Sequence, residues 1–278
     1  GHSGTNMAQA PECADTAGMN APAADPSTTP TPAVDPLFLA TPGITTYDGD
    51  IALTNASGFF FQRDDRLFLV TSRHVLIDEP SNHRPGRLAI TLHLDAQNLS
   101  RCTEFSMLLY ANGTAVWRQG SDGGGEIDVA VLEIDRDALP ERAIVRAFTP
   151  EHLPGDFDSV PIDAALCIAG FPLGFRDTVY QLPVLRHAAI ASPFGVRFQG
   201  RGFFLTDART HRGTSGAAVV MRDTAPSAET AALPWRLLGV HSARMDMGNR
   251  DLVLDESLGL NCAWYADILL TLTTPTAG

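Results

Sequence analysis

Short apolar runs separated by polar turns dominate the chain from about residue 47 onward. The runs at residues 57–62 and 67–71 flank the polar turn 63–66, which is a pattern typical of a β-hairpin. Further strand-like runs follow at residues 88–94, 105–110, 114–118 and 127–134 and, after a loop rich in Pro and Asp, at 165–169, 184–190, 202–206, 217–221 and 237–241. Because the runs form two groups, the pattern predicts an all-β fold of two packed six-stranded β-barrels, at about residues 47–150 and 160–262.

The two ends of the chain differ from this pattern. Residues 1–42 are rich in Ala, Pro, Thr and Asp, a composition that cannot bury a core, so they are predicted to form a tail or linker. The folded domain is then expected over residues 43–278. Residues 263–270 carry apolar side chains at helical spacing and predict a short C-terminal helix.

The charged residues exclude several classes of function. All 20 basic residues are Arg, and against 32 acidic residues they leave a net charge of −12. Without lysine the chain cannot be a Schiff-base enzyme, use a Ser-Lys dyad, or carry a phosphate-binding loop ending in Gly-Lys-Ser/Thr. The negative charge and the scattered Arg residues argue against a nucleic-acid partner. No apolar stretch approaches the ~20 residues that a membrane span needs.

Cysteine and histidine spacing gives no metal signature. The four cysteines are far apart, without a C-x-x-C pair, and both free thiols and disulfide pairing remain open from the sequence; they are Cys13, Cys102, Cys167 and Cys262. Four histidines outside the motifs show no ligand spacing and are expected at the surface: His83, His93, His152 and His187. We therefore expect neither a metal nor another cofactor.

The segment TDARTHRGTSG at residues 206–216 carries the most specific chemistry. Ser215 stands between glycines and precedes an apolar strand, which suggests a nucleophile on a tight turn. Gly213 can adopt backbone angles closed to other residues, so its N–H and that of Ser215 can point into one cavity. Two such donors stabilise the oxyanion that forms when a carbonyl is attacked.

A hydroxyl needs a base before it becomes a good nucleophile. His74 follows the apolar strand 67–71 directly, and a strand end is a rigid mounting for a base. Asp128 enters an otherwise apolar strand, and a buried carboxylate requires a specific donor. The imidazole N–H of His74 would be that donor, so the order His, Asp, Ser indicates a catalytic triad.

Three motifs of the chain resemble those of a known enzyme family. The segments TSRHV at 71–75, DVAVL at 128–132 and GTSG at 213–216 resemble the three signatures of chymotrypsin-fold serine peptidases. They are most similar to bacterial catalytic domains of the HtrA/Deg and glutamyl-endopeptidase kinds, and GFPLG at 170–174 resembles a loop of the HtrA group. The resemblance covers about residues 57–267 and implies a double β-barrel with the site in the cleft between the barrels.

The resemblance also implies roles and substrates. His74 would act as general base and then acid, Asp128 would orient it, and Ser215 would form the acyl-enzyme with polypeptide substrates. The chain departs from the family in three places. About 11 residues follow Asp267, so the PDZ domain of HtrA proteins is not expected. Thr214 stands where pancreatic enzymes have the Asp that is used in zymogen activation. Ala217 replaces the usual second glycine.

Four residues are candidates for the S1 pocket. Arg209 stands where enzymes that cut after Lys or Arg carry Asp. By resemblance to glutamyl endopeptidases, His241 and Thr210 would bind an acidic P1 side chain, and Ser242 lies on the same pocket strand. Small or aliphatic P1 residues, as in the HtrA group, remain the alternative specificity.

Two further questions stay open in the sequence. A trypsin-like barrel can also serve as a catalytically silent binding or scaffold module, and an intact triad does not exclude that function. The resemblance implies a secreted or periplasmic protein, whereas a native start at Met7 would favour the cytoplasm because no apolar signal core follows it. The oligomeric state has no sequence signature.

Overall fold

The computed structural model describes residues 29–244, 253–254 and 258–275. Strands dominate these residues, and each helix in them is a single short turn or slightly longer, which confirms the all-β class. The strands form two groups, one on each side of the loop at about residue 150.

The first half consists of two four-stranded antiparallel sheets and a small two-stranded ribbon. Its strands are β1 (Gly43–Asp48), β2 (Ile51–Ser57), β3 (Phe59–Arg63), β4 (Arg66–Thr71), β5 (Arg87–His93), β6 (Cys102–Leu108), β7 (Tyr110–Ala111), β8 (Thr114–Ala115), β9 (Arg118–Asp122) and β10 (Gly125–Ile134). The sheet orders are β2-β1-β5-β6 and β3-β4-β10-β9, with β7 paired to β8. The predicted hairpin is confirmed as β3 and β4.

The first half thus has two sheets where the sequence predicted a single six-stranded barrel. The chain passes from one sheet to the other at Gly58, between β2 and β3. A Cβ atom on Gly58 would lie 2.7 Å from the carbonyl oxygen of Val70, so only glycine fits at this crossing. The sequence pattern missed β1, β2 and β9, whose residues are polar or exposed over much of their length.

The second half is a closed six-stranded antiparallel barrel, as predicted. Its strands are β11 (Leu166–Gly170), β12 (Val184–Ile190), β13 (Phe203–Asp207), β14 (Ala218–Arg222), β15 (Trp235–Ser242) and β16 (Leu260–Tyr265). They close in the order β11-β12-β13-β16-β15-β14. Because its six strands close on themselves, this barrel has no free sheet edge.

The largest apolar cluster lies between the two halves. Phe59 and Phe61 of β3 pack into it, whereas Phe60 points into the core of the first half. Leu237 of β15 reaches the same cluster from the second half, and Leu238 faces the barrel interior. Successive side chains of a strand point to opposite faces, so these unbroken apolar runs belong to strands buried on both sides.

The short α-helices in the described part of the chain include α1 (Leu37–Ala40), α2 (Arg73–Leu76) and α3 (Ile268–Leu272). The predicted helix at 263–270 begins too early, because residues up to Tyr265 form β16 and close the barrel. The predicted end of the tail at residue 42 comes too late. Leu37 and Ala40 are fully buried in the cluster between the halves, so the core includes α1. Residues 1–28 of the tail lie outside the described residues.

The described cysteines are free thiols: Cys102, Cys167 and Cys262. Burial raises the pKa of the Cys102 thiol to about 11 and that of Cys262 to about 12, so both are poor nucleophiles. Cys13 lies outside the described residues. None of the helices in the described ranges has the length and apolar character that crossing a membrane requires.

Asp35 connects the segment before α1 to the second half through hydrogen bonds. Its carboxylate accepts hydrogen bonds from the Leu37 N–H at 2.9 Å, Trp235 Nε1 at 2.9 Å and Arg222 Nη2 at 3.0 Å. Burial alone would raise the pKa of the Asp35 carboxyl, but these donors outweigh burial and lower it below its ordinary value. The ionised carboxylate therefore stabilises the fold.

We expect Asp35→Asn to lower the free energy of unfolding by about 1–3 kcal/mol at pH 7, because buried donors lose a charged acceptor. The group has a lowered pKa in the folded state, so its contribution is complete well above pH 4 and disappears as the pH falls through the folded-state pKa. Urea denaturation at several pH values measures this. Asp50→Asn, at an exposed turn position, is the control and should change stability little. A loss that does not diminish in acid would contradict the prediction.

Candidate active site

His74 and Asp128 are joined by two hydrogen bonds. The chain leaves β4 at Thr71, and the one-turn helix α2 directs His74 toward β10. The backbone N–H of His74 donates to Asp128 Oδ1 at 2.9 Å, and His74 Nδ1 lies 2.7 Å from Asp128 Oδ2. The His74 side chain is 17% exposed, so the ring is held at a partly open surface. Two bonds to one carboxylate orient both the backbone and the imidazole.

Asp128 lies at an irregularity in β10. The pairing of β10 with β9 shifts register between Ile127 and Ala130, so Asp128 lies in a bulge, and a bulge redirects a side chain. Ser242 Oγ, at the end of β15, donates a third hydrogen bond to Asp128 Oδ2 at 3.0 Å. Burial opposes ionisation, but the hydrogen bonds and charge of His74, aided by Ser242, outweigh it and lower the pKa of the Asp128 carboxyl.

Ser215 lies on a turn that requires glycine on both sides. Gly213 has φ +92° and Gly216 has φ +91°, in the region that L-residues rarely adopt. A Cβ atom on Gly216 would collide with the Ser57 carbonyl oxygen and with Thr71 Oγ1. The tight turn places Ser215 just before β14, where the residue is 8% exposed.

The turn docks directly against the segment that carries His74. The Ser57 N–H donates to the Ser215 carbonyl at 3.1 Å, and the Gly216 Cα faces the backbone nitrogen of Ser72, two residues before His74. Within the described residues, the Ser215 hydroxyl makes no hydrogen bond to His74. Such bonds in free enzymes are often long and tighten only when substrate binds.

The backbone of the turn offers two free donors. The Leu173 N–H, in the 3₁₀ turn Pro172–Gly174, donates to the Arg212 carbonyl oxygen. Because the peptide unit is planar and trans, the Gly213 N–H points away from that contact. Among the described residues, neither the Gly213 nor the Ser215 N–H has an acceptor. Two unpaired N–H groups on one turn are suited to binding an anionic oxygen.

An open groove of about 720 Å³ adjoins this turn. It is lined by residues 172–175, 184–186 and His211. Leu173 and Phe175 are 69% and 66% exposed there, which is unusual for large apolar side chains. The groove therefore offers apolar surface beside the two free N–H groups.

The predicted S1 residues differ in exposure and in hydrogen-bond partners. Arg209 is exposed. The Thr210 hydroxyl donates to Asn261 Oδ1 at 2.9 Å, and Asn261 Nδ2 donates to the Ala208 carbonyl at 2.9 Å. The Ser242 hydroxyl points to Asp128 rather than to a pocket. Thr210 and Ser242 thus have polar partners within the protein.

His241 is fully buried, and within the described residues neither of its ring nitrogens has a hydrogen-bond partner. It is paired with Ala263 across β15 and β16, on the face that points into the barrel. Burial, and the nearby His74, lower the pKa of His241 to about 3, so the imidazole is neutral. Thr214 Oγ1 is likewise buried without a described partner. Unpaired buried polar atoms are rare in folded proteins and call for an explanation.

An ion pair that the sequence did not predict lies beside Asp128 and Ser242. Arg244 binds Asp78 in bidentate geometry, at 2.9 and 3.1 Å, and its N–H donates to Ser242 Oγ at 3.2 Å. The hydrogen bonds from Arg244 lower the pKa of Asp78 to about 2. No local pattern identifies this pair, since the residues are 166 positions apart.

Two of the histidines expected at the surface are buried instead. His152 is 2% exposed, and its Nε2 lies 3.0 Å from the Leu233 carbonyl oxygen. His93 is 6% exposed, and its Nε2 lies 2.6 Å from the Tyr180 carbonyl oxygen. Burial lowers the pKa of both. The described ranges contain no cluster of three or more His, Cys, Asp or Glu side chains that could hold a metal ion.

Comparison with known proteins agrees with this architecture. The profile of the trypsin-like peptidase domain family matches residues 56–225, more than half of the chain. The chain therefore belongs to the trypsin-like peptidase domain family.

Solved structures are similar at low sequence identity. One is an HtrA-type protease, an AlgW variant with a tripeptide, at 19% identity and a TM-score of 0.48, covering 84% of this chain and 58% of that one. Another is the serine endoprotease from Yersinia pestis, at 17% identity and a TM-score of 0.47, covering 84% of this chain and 61% of that one. The chain thus spans about three fifths of the length of these proteins. No curated protein matches it.

We expect Gly216→Ala to lower the free energy of unfolding by about 2–4 kcal/mol, because it combines an unfavourable φ with overlap against backbone atoms. Gly49→Ala is the matched control: Gly49 has φ +58° with open space around its Cα, so only the φ penalty of about 1 kcal/mol applies. Denaturation of both variants measures the difference. Equal losses would show that the close approach at Gly216 contributes nothing.

Proposed function

We propose that the chain is a serine endopeptidase that uses His74, Asp128 and Ser215 as a catalytic triad. Ser215 Oγ attacks the carbonyl carbon of a peptide bond while His74 Nε2 takes its proton. The oxyanion accepts hydrogen bonds from the N–H groups of Gly213 and Ser215. Collapse breaks the C–N bond, His74 returns the proton to the leaving amine, and water then hydrolyses the acyl-enzyme by the same route.

The double hydrogen bond between His74 and Asp128 carries this proposal. With Nδ1 held 2.7 Å from an ionised carboxylate, the proton resides on Nδ1 and the lone pair on Nε2. That tautomer is the one that can accept a proton from a hydroxyl. The carboxylate also balances the imidazolium that forms in the transition state.

Polypeptide is the substrate class that the surroundings of Ser215 favour. The open apolar groove adjoins the turn that carries the two free N–H groups. A polypeptide substrate extends beyond the scissile bond and needs a surface of this kind to bind it. The neighbouring Leu173 and Phe175 offer exposed apolar contacts there.

A labelled fluorophosphonate tests the triad. We expect the folded protein to be labelled at Ser215, Ser215→Ala to remain unlabelled, and Asp128→Asn to react about 10³–10⁴-fold more slowly because the wrong tautomer of His74 is favoured. His187→Ala is the control, since His187 is exposed on β12 and should leave the rate unchanged. A folded protein that does not react would instead indicate a binding or scaffold module.

We further propose that the enzyme prefers acidic P1 residues. The observation that favours this preference is the buried, unpaired His241, whose ring nitrogens lack any described partner. A P1 carboxylate would give the imidazole a partner, and its charge would favour the protonated ring. The exposed Arg209 adds positive potential nearby in an otherwise acidic protein.

Matched peptides with Glu, Gln, Val, Phe and Arg at P1 test the preference. We expect the highest kcat/KM for Glu. The Glu-to-Gln ratio should rise as the pH falls toward 5, because neutral His241 must take up a proton to pair fully with the carboxylate. His241→Phe should reduce the ratio while leaving Val cleavage similar. Equal or better cleavage after Val by the unaltered protein would remove the role of His241 and favour the aliphatic alternative.

A further inference from the structure

Ser57, the last residue of β2, uses all of its polar groups at the Ser215 turn. Its side chain is fully buried. Its N–H donates to the Ser215 carbonyl at 3.1 Å, and its carbonyl accepts from Thr71 Oγ1 at 2.9 Å. Its hydroxyl donates to the Gly213 carbonyl at 2.7 Å and accepts from the Phe171 N–H at 3.0 Å. These contacts connect the first half to the turn and to the loop beside it.

The hydroxyl is the group that this position requires. One neighbour is a carbonyl, which only accepts, and the other is an N–H, which only donates. A hydroxyl donates its one proton and accepts through a lone pair, so it satisfies both at once. An alanine at Ser57 would leave the part-buried Gly213 carbonyl without this donor and the buried Phe171 N–H without its acceptor.

These contacts determine the direction of the Gly213 N–H. The peptide unit before Gly213 is held because Leu173 donates to the Arg212 carbonyl. The peptide unit after Gly213 is held because Ser57 Oγ donates to the Gly213 carbonyl. Glycine is the least restricted residue, so its backbone angles depend on such external contacts. With both planes held, Gly213 stays at φ +92° and its N–H stays free.

We propose that Ser57 is a positioning residue for the oxyanion hole. It touches no reacting atom and acts through the Gly213 carbonyl, which makes it distinct from the triad. This inference rests on the proposed peptidase function, because the oxyanion forms only during acyl transfer. Removing the hydroxyl should therefore weaken binding of the transition state more than binding of the substrate.

Ser57→Ala tests the proposal by steady-state kinetics on the full chain. We expect kcat to fall about 10- to 100-fold with little change in KM, as for a small displacement of a catalytic donor. The affinity for a peptide boronic acid, whose tetrahedral adduct places an oxygen in the hole, should weaken by a similar factor. The pH at which kcat/KM is half-maximal should stay the same, because the His74–Asp128 pair is untouched.

Ser192→Ala is the matched control. Ser192 is also a buried serine, and its hydroxyl accepts from the Leu205 N–H at 2.8 Å inside the second half. Ser192→Ala should lower the melting temperature, but it should not lower kcat selectively while KM stays unchanged. If Ser57→Ala does not fold, Ser57→Cys provides the test, since a thiol occupies the site but is a weak donor. Unchanged kcat, or equal effects on kcat and KM, would overturn the proposal.

Hydrogen exchange separates this proposal from the proposed function. In Ser57→Ala, the amides of Phe171 and Gly216 should exchange faster than in the unaltered protein, whereas Ser192→Ala should leave them unchanged. This measurement needs no activity. If fluorophosphonate labelling fails but exchange accelerates, the peptidase function is wrong and Ser57 still positions the turn. If labelling succeeds but exchange and kcat are unaffected, the positioning role is wrong.

Discussion

The partly buried carboxylate of Asp128 is the group on whose hydrogen bonds the arrangement of the site depends. An anion removed from water is costly unless donors surround it. Asp128 obtains two hydrogen bonds from His74 in its own half and a third from Ser242 in the other half. The two halves must therefore be correctly docked for the carboxylate to be satisfied. The large apolar cluster between them, with Phe59 on one side and Leu237 on the other, supplies the force that holds them there.

The backbone of the Ser215 turn likewise depends on contacts between the two halves. Gly216 allows a close approach to β2 and β4, and Gly213 allows one to the loop at Phe171–Gly174. Ser57 forms hydrogen bonds to the turn and to this loop. The chemistry proposed here thus has supporting contacts from both halves. Each half contributes groups that the other cannot supply, and neither alone contains a complete site.

Local patterns in the sequence predicted much of the fold and the candidate triad, for identifiable reasons. The runs around Phe59–Phe61 and in β10 are apolar enough to identify strands. The order His, Asp, Ser along the chain identified the candidate catalytic residues. Residues 263–270 were mistaken for a helix because their apolar spacing fits both a helix and a barrel strand. The roles of Ser57 and Ser242 had no local signal, since their partners lie 156 and 114 positions away. Helix α1 was also missed, because its four residues directly follow a Pro-rich stretch and are too few to show a helical period.

The Asp35 contact has a consequence for the order in which the protein is made. Its partner Trp235 comes 200 residues later in the chain. At a synthesis rate of about 5–20 residues per second, the ribosome adds that stretch over roughly 10–40 s. Throughout that interval α1 lacks the part of its binding site that the second half supplies. Helix α1 is synthesised before β1–β16 and is thus among the last elements to reach its final environment, because the nascent chain lacks the contacts of the second half with Leu37 and its neighbours until β15 has been synthesised.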